Sequence, residues 1–246
     1  MDFVELSKTE HNMIETAEKE YRDYYQFAIE SINLLDSFVN SVELDAQVFL
    51  IFLSQIQKST TLAVLSSLRR HDVQALMNIR HLLESFVLIV YSFIEKDFES
   101  YVLYSKYGYA VEKRDVKDRA RKWLKAEFPE YSDKIKNMKD QINDFYAHAN
   151  LLSAFANYNF DDDLKISLEI FDKKEDVFIR QRLWWIGNIT FGIIDLIIKV
   201  NRKYPLITFR NDINKRMIKL AQRNNFLQEE LTNLPNFSKH IGKTLE

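Results

Sequence analysis

The segment Asp72–Tyr91, DVQALMNIRHLLESFVLIVY, decides how the rest of the chain is read. Its apolar residues Leu76, Ile79, Leu83, Phe86, Val87 and Val90 recur at the steps of three and four that mark one helical face. At about 100° per residue, Arg80, Glu84 and Tyr91 lie together along one edge of that face. A helix here therefore carries a cation and a carboxylate one turn apart, where it meets a neighbour. Two readings of that edge stay open: an ion pair at a packing seam, or a half-buried polar site.

The surroundings favour more helices. Four Gly and three Pro among 246 residues are too few for the turns of a sheet or barrel protein, and neither G-x-G-x-x-G nor a P-loop pattern occurs. With 46% hydrophobic residues the chain has enough material for a large core. No cysteine is present, which excludes disulfides and thiolate chemistry and agrees with a reducing compartment. A net charge of −2 gives no bulk attraction to nucleic acid, so local patches must decide. The N-terminus is acidic and polar, unlike a secretory signal, and a cytoplasmic protein is expected. The most apolar run, Leu183–Ile198, is shorter than the ~20 residues of a membrane span and holds Asn188 and Asp195, so a buried helix and no membrane partner are expected.

Upstream, apolar steps from Thr9 to about Val42 predict a long first helix, and Asp45 to Leu68 a second. Arg69-Arg70-His71 closes the second with positive charge, and Asp72 is a good N-cap, so helices two and three read as a tight antiparallel hairpin. After Ser92 a further helical stretch holds Tyr101, Tyr104, Tyr107 and Tyr109, then turns basic. Lys113, Arg114, Lys117, Arg121 and Lys125 stand out there as nucleic-acid-binding candidates, with Trp123 and the tyrosines as aromatic platforms; the alternative is a solvated helix face over a core. Pro129 stops that helix.

From Tyr131 the pattern Ile135, Met138, Ile142, Phe145, Ala149, Leu152, Ala156 predicts another helix, with Asp144 and His148 one turn apart on its flank. Asn157–Asp163 reads as a turn. Alternation at Leu164, Ile166, Leu168 and Ile170 predicts a short strand or hairpin near residues 164–171. Val177 to Lys203 and Asn211 to Leu231 complete the helices. The expected architecture is an all-α bundle of about six to seven helices in one domain, residues 1–235, with a polar tail at 236–246. Associating as a homodimer is expected. His11, His71, His81, His148 and His240 offer no metal-ligand spacing, so neither a metal nor another cofactor is expected.

An R-x-x-x-E helix, Arg80 to Glu84, followed by a Tyr-x-His helix, Tyr146-Ala147-His148-Ala149-Asn150, resembles uncharacterised bacterial helical proteins related to the HEPN superfamily. The similarity covers roughly Val48 to Ser153. It implies a small, commonly dimeric helical bundle, either a binding or regulatory module in a defence or toxin–antitoxin setting or a metal-independent ribonuclease. Catalytic members carry R-x(4–6)-H late in the bundle, where His acts as acid or base and Arg stabilises the phosphorane. Here His148 fits the histidine, but Ile142, Asn143 and Asp144 stand upstream and no arginine does. The first expectation is therefore a non-catalytic module with an RNA or protein partner. The second is a ribonuclease using His148, Arg80 and Tyr146, with Glu84, Asp144 and Asn150 as a surrounding polar cluster.

Overall fold

In the computed structural model the described residues are 2–145, 158–160, 166–168, 170–172 and 175–234. Seven helices lie among them: α1 (Phe3–Ser37), α2 (Gln47–Leu68), α3 (Asp72–Tyr91), α4 (Arg114–Glu127), α5 (Pro129–Phe145), α6 (Asp176–Lys203) and α7 (Ile213–Thr232). Three antiparallel two-stranded pairs join them: β1 (Val39–Val42) with β6 (Ile207–Phe209), β2 (Val102–Tyr104) with β3 (Ala110–Glu112), and β4 (Tyr158–Phe160) with β5 (Ile166–Leu168). The protein is an all-α bundle with short β decorations. One buried cluster runs from Ala17 to Leu231, so the helices share a single core. The tail beyond residue 235 lies outside the described residues.

Helix α3 has the bounds its periodicity predicts, and it is buried on more than one face: Leu76, Ile79, Leu82, Leu83, Ile89 and Val90 are all at most 1% exposed. It pairs with α2 as a helical hairpin. Arg70 makes the turn with φ 58, the left-handed conformation that commonly ends a helix, and His71 N–H closes it onto Ser66 at 2.8 Å. The capping differs from the expectation. His71 occupies the cap position, and Asp72, already inside the helix, turns its carboxylate to Arg182 of α6 at 2.8 Å.

Helix α1 crosses α6 closely because Gly187 has no side chain; a Cβ there would overlap the Phe27 ring. The helix breaks at Arg22, whose φ of 45 and ψ of −115 lie outside helical space. It also ends earlier than predicted. Val39 and Val42 continue the apolar spacing, but they pair with Phe209 and Ile207 from the far end of the chain, and that long-range ladder wins over the local period.

The largest departure follows Ser92. Instead of a second long helix, a short turn at Phe98–Ser100 leads into the β2–β3 hairpin and only then into α4. The tyrosines spaced by three mimicked a helix, but Gly108 at φ 79 supplies the turn, and Ser105 Oγ accepts from the Tyr107 and Tyr109 amides. The strand expected near 164–171 is present as β5, and its partner is β4, cut from residues read as a turn.

Three helices, α2, α3 and α6, are long and apolar enough to cross a membrane by length and composition. The run read as too short for a span sits inside the 28-residue α6. The apolar windows of α3 and α6 are 61% buried within the bundle, that of α2 44%. Asp195, which interrupts the α6 run, accepts from Tyr131 of α5 and lies 2.8 Å from Lys199, whose Nζ also donates to Tyr131 at 2.6 Å.

Candidate functional site

Because α3 turns one edge toward α4 and α5, Glu84 becomes a junction. Its Oε1 lies 3.6 Å from Arg80 Nε one turn back and 3.1 Å from Lys139 Nζ of α5; its Oε2 lies 3.9 Å from Lys117 Nζ of α4. Lys117 is held from its other side by Glu112 of β3 at 2.8 Å. Burial pushes the Glu84 carboxyl up, but Lys139, Lys117 and Arg80 together outweigh it and leave it below its usual range. The residue is therefore a fixed anion among three cations.

Beside this junction a cleft of about 240 Å3 opens between α2, α3 and the β3–α4 connection. Phe52 and Leu88 form apolar walls, and Gln55, His81, Glu84, Ser85, Glu112 and Lys117 supply polar ones. His81 is positioned by α2, its Nδ1 lying 3.0 Å from Ser59 Oγ and 2.8 Å from Gln55 Nε2. The cleft is larger than the cavity between Asp72, Asp172 and Arg182 and the one between Glu84, Arg121 and Lys139.

A second feature adjoins the cleft. On α4, Arg114, Arg121 and Lys125 fall within about 40° of one another, with Lys122 beside them, all exposed. Arg121 lies 3.4 Å from Asp118, while Arg114, Lys122 and Lys125 make no ion pair among the described residues. The hairpin that feeds directly into this helix presents Tyr104, Tyr107 and Tyr109 at 59%, 73% and 72% exposure. Lys106 Nζ lies 4.9 Å from the Tyr107 ring centroid.

The sequence candidates divide among these places. Arg80 and Glu84 come together as described. Lys117 is committed to Glu84 and Glu112, and Lys113 donates to the Glu99 carbonyl at 2.7 Å, so both brace the site; Arg114, Arg121 and Lys125 face solvent. Trp123 is no platform: it packs with Tyr91, Phe128 and Tyr204 at centroid distances of 6.1, 5.9 and 6.4 Å. Tyr101 is likewise buried. Helix α5 does face Glu84, through Lys139, but Asp144 sits about 140° further round that helix and is exposed. Tyr146, His148 and Asn150 lie outside the described residues.

Gln55, His81 and Lys139 were not singled out from the sequence. His81 follows Arg80 directly, and in the sequence it bears only on metal-ligand spacing, which it does not meet. Lys139 looks like any lysine of a charge-rich helix; only the α3–α5 packing distinguishes it. No protein-family model matches the chain, and no curated protein or solved structure is significantly similar to it.

Proposed function

We propose that the chain is a non-catalytic, HEPN-like binding module that holds single-stranded RNA along the β2–β3 hairpin and the outer stripe of α4, within a defence or toxin–antitoxin setting. The observation that carries this reading is the exposure of Tyr104, Tyr107 and Tyr109 on the hairpin that leads into α4, whose Arg114, Lys122 and Lys125 lack ion-pair partners among the described residues. Bases stack on exposed rings whatever their identity, and a cationic stripe follows the phosphates. Arg80 faces Glu84 at 3.6 Å, which draws its charge away from any phosphate and disfavours the ribonuclease alternative. Of the three apolar helices, α3 and α6 carry Glu84 and Asp195 into polar contacts with neighbouring helices, which supports a place for them in the bundle core.

Fluorescence anisotropy with a labelled ten-nucleotide uridine RNA tests the proposal. Tyr107→Ala and Tyr109→Ala should each weaken binding by about 1–3 kcal/mol, and the RNA should remain uncleaved with or without divalent metal. Equal affinity for parent and double variant would remove the hairpin from the interface and the reading with it.

A further inference from the structure

The cleft beside Glu84 shares its rim with the proposed RNA surface, since Glu112 belongs to β3 and Lys117 to α4. A strand lying on the hairpin and α4 therefore passes its mouth. At about 240 Å3 it is smaller than the roughly 300–1,000 Å3 pockets that take drug-sized ligands, and it suits one flat heterocycle. Phe52 and Leu88 offer apolar surface to the faces of such a ring, and Gln55 offers an amide to its rim.

The polar end of the cleft has a definite order. Glu84 presents two carboxylate oxygens with two lone pairs each: Oε1 lies 3.1 Å from Lys139 Nζ, which uses one of them, and Oε2 lies 3.9 Å from Lys117 Nζ, beyond hydrogen-bond length. Lys117 has three N–H donors and places one near Glu112 at 2.8 Å, which leaves donors to spare. Side by side, the two residues display acceptor, acceptor, donor. The Watson–Crick edge of guanine displays the complement: N2–H and N1–H donate, and O6 accepts. Adenine and uracil have no two adjacent donors on that edge, and cytosine would use only one of the carboxylate oxygens.

We infer that this cleft takes a single guanine base, with Glu84 accepting from N1–H and N2–H, Lys117 donating to O6, and Phe52 and Leu88 flanking the ring. The inference rests on the RNA-binding reading for the source of the base and adds a sequence preference to it. Affinity then comes from the hairpin and the α4 stripe, and base selection from the cleft.

The test compares uridine ten-mers bearing one central G, A or C, and free guanosine 5′-monophosphate, in anisotropy and calorimetry. The expected result is a preference of about tenfold for central G over central A, the usual scale for one bidentate base contact. Glu84→Gln, which replaces one acceptor oxygen by a donor, and Ile51→Trp, which fills the mouth from a position 44% exposed, should each bring the ratio to within about twofold. The readout is a ratio within one variant, so a general loss of affinity does not move it. Equal binding of the three ten-mers by the parent overturns the inference while leaving the RNA reading intact, as does a preference unchanged in both variants. Saturable binding of guanosine monophosphate without binding of any ten-mer supports the cleft assignment and removes the RNA reading.

Discussion

The carboxylate of Asp172 accepts the backbone N–H of Asp72 at 2.6 Å, so the start of α3 is satisfied by a residue one hundred positions further along the chain. Asp72, freed from capping its own helix, binds Arg182 at 2.8 Å instead. Both aspartates are buried, at 9% and 8% exposure, where an acceptor for an orphan amide counts most. Asp172→Ala should lower stability by about 1 kcal/mol in urea denaturation, and Asp172→Asn, which keeps an acceptor oxygen, by less. Equal losses from the two variants would show that charge rather than capping matters there.

Glu84 links stability to pH. Its folded-state value lies below the usual 4.5, so the unfolded chain takes up the proton first. The stabilisation is complete above 4.5 and is lost as pH falls through the depressed folded value. The melting temperature of the parent should exceed that of Glu84→Gln most at neutral pH, with the gap closing on acidification below 4.5. A gap that stays constant from pH 7 to pH 3 contradicts the ion-pair account.

Gly187 is fixed by the Phe27 ring against it. Gly187→Ala would ordinarily favour a helix, yet here the added methyl must displace an aromatic side chain that is 0% exposed. A loss of about 1–3 kcal/mol is expected from overpacking. Combining it with Phe27→Leu should recover part of that loss, and the double-mutant cycle measures the coupling.

The stripe on α4 predicts a salt signature. Arg121→Ala and Lys125→Ala should weaken RNA binding similarly for every sequence and reduce the slope of log affinity against log salt by about 0.7 each. Lys117→Ala should behave differently, since that side chain is engaged by Glu84 and Glu112; its main effect should fall on thermal stability and on base preference.

The helical elements were legible wherever local period and long-range packing agree. Asp72–Tyr91 kept its predicted bounds, and Val177–Lys203 differed from α6 by one residue. The strands were hidden for different reasons. Val39–Val42 owes its state to Ile207–Phe209, a partner no local window contains, and the tyrosines of the β2–β3 hairpin repeat at a spacing that helices also use. Of the candidate site, the Arg80–Glu84 pair was readable because it lies within one helix. The cations that complete it, Lys117 and Lys139, arrive from two other helices, and only tertiary packing brings them to one carboxylate.

The way α5 is attached has a consequence for how the bundle breathes. Ile135 and Ile142 are its buried apolar side chains among the described residues, Tyr131 and Met138 pack half-buried against the core, and polar ties run from Lys139 to Glu84 and from Tyr131 to Asp195 and Lys199. With fewer buried apolar side chains than α3, this helix should open locally at a lower free energy than the deeply packed α2–α3 pair. Its amides should exchange with deuterium well before those of α3. Such an opening would withdraw Lys139 from Glu84, so the seating of α5 helps to keep that carboxylate in place.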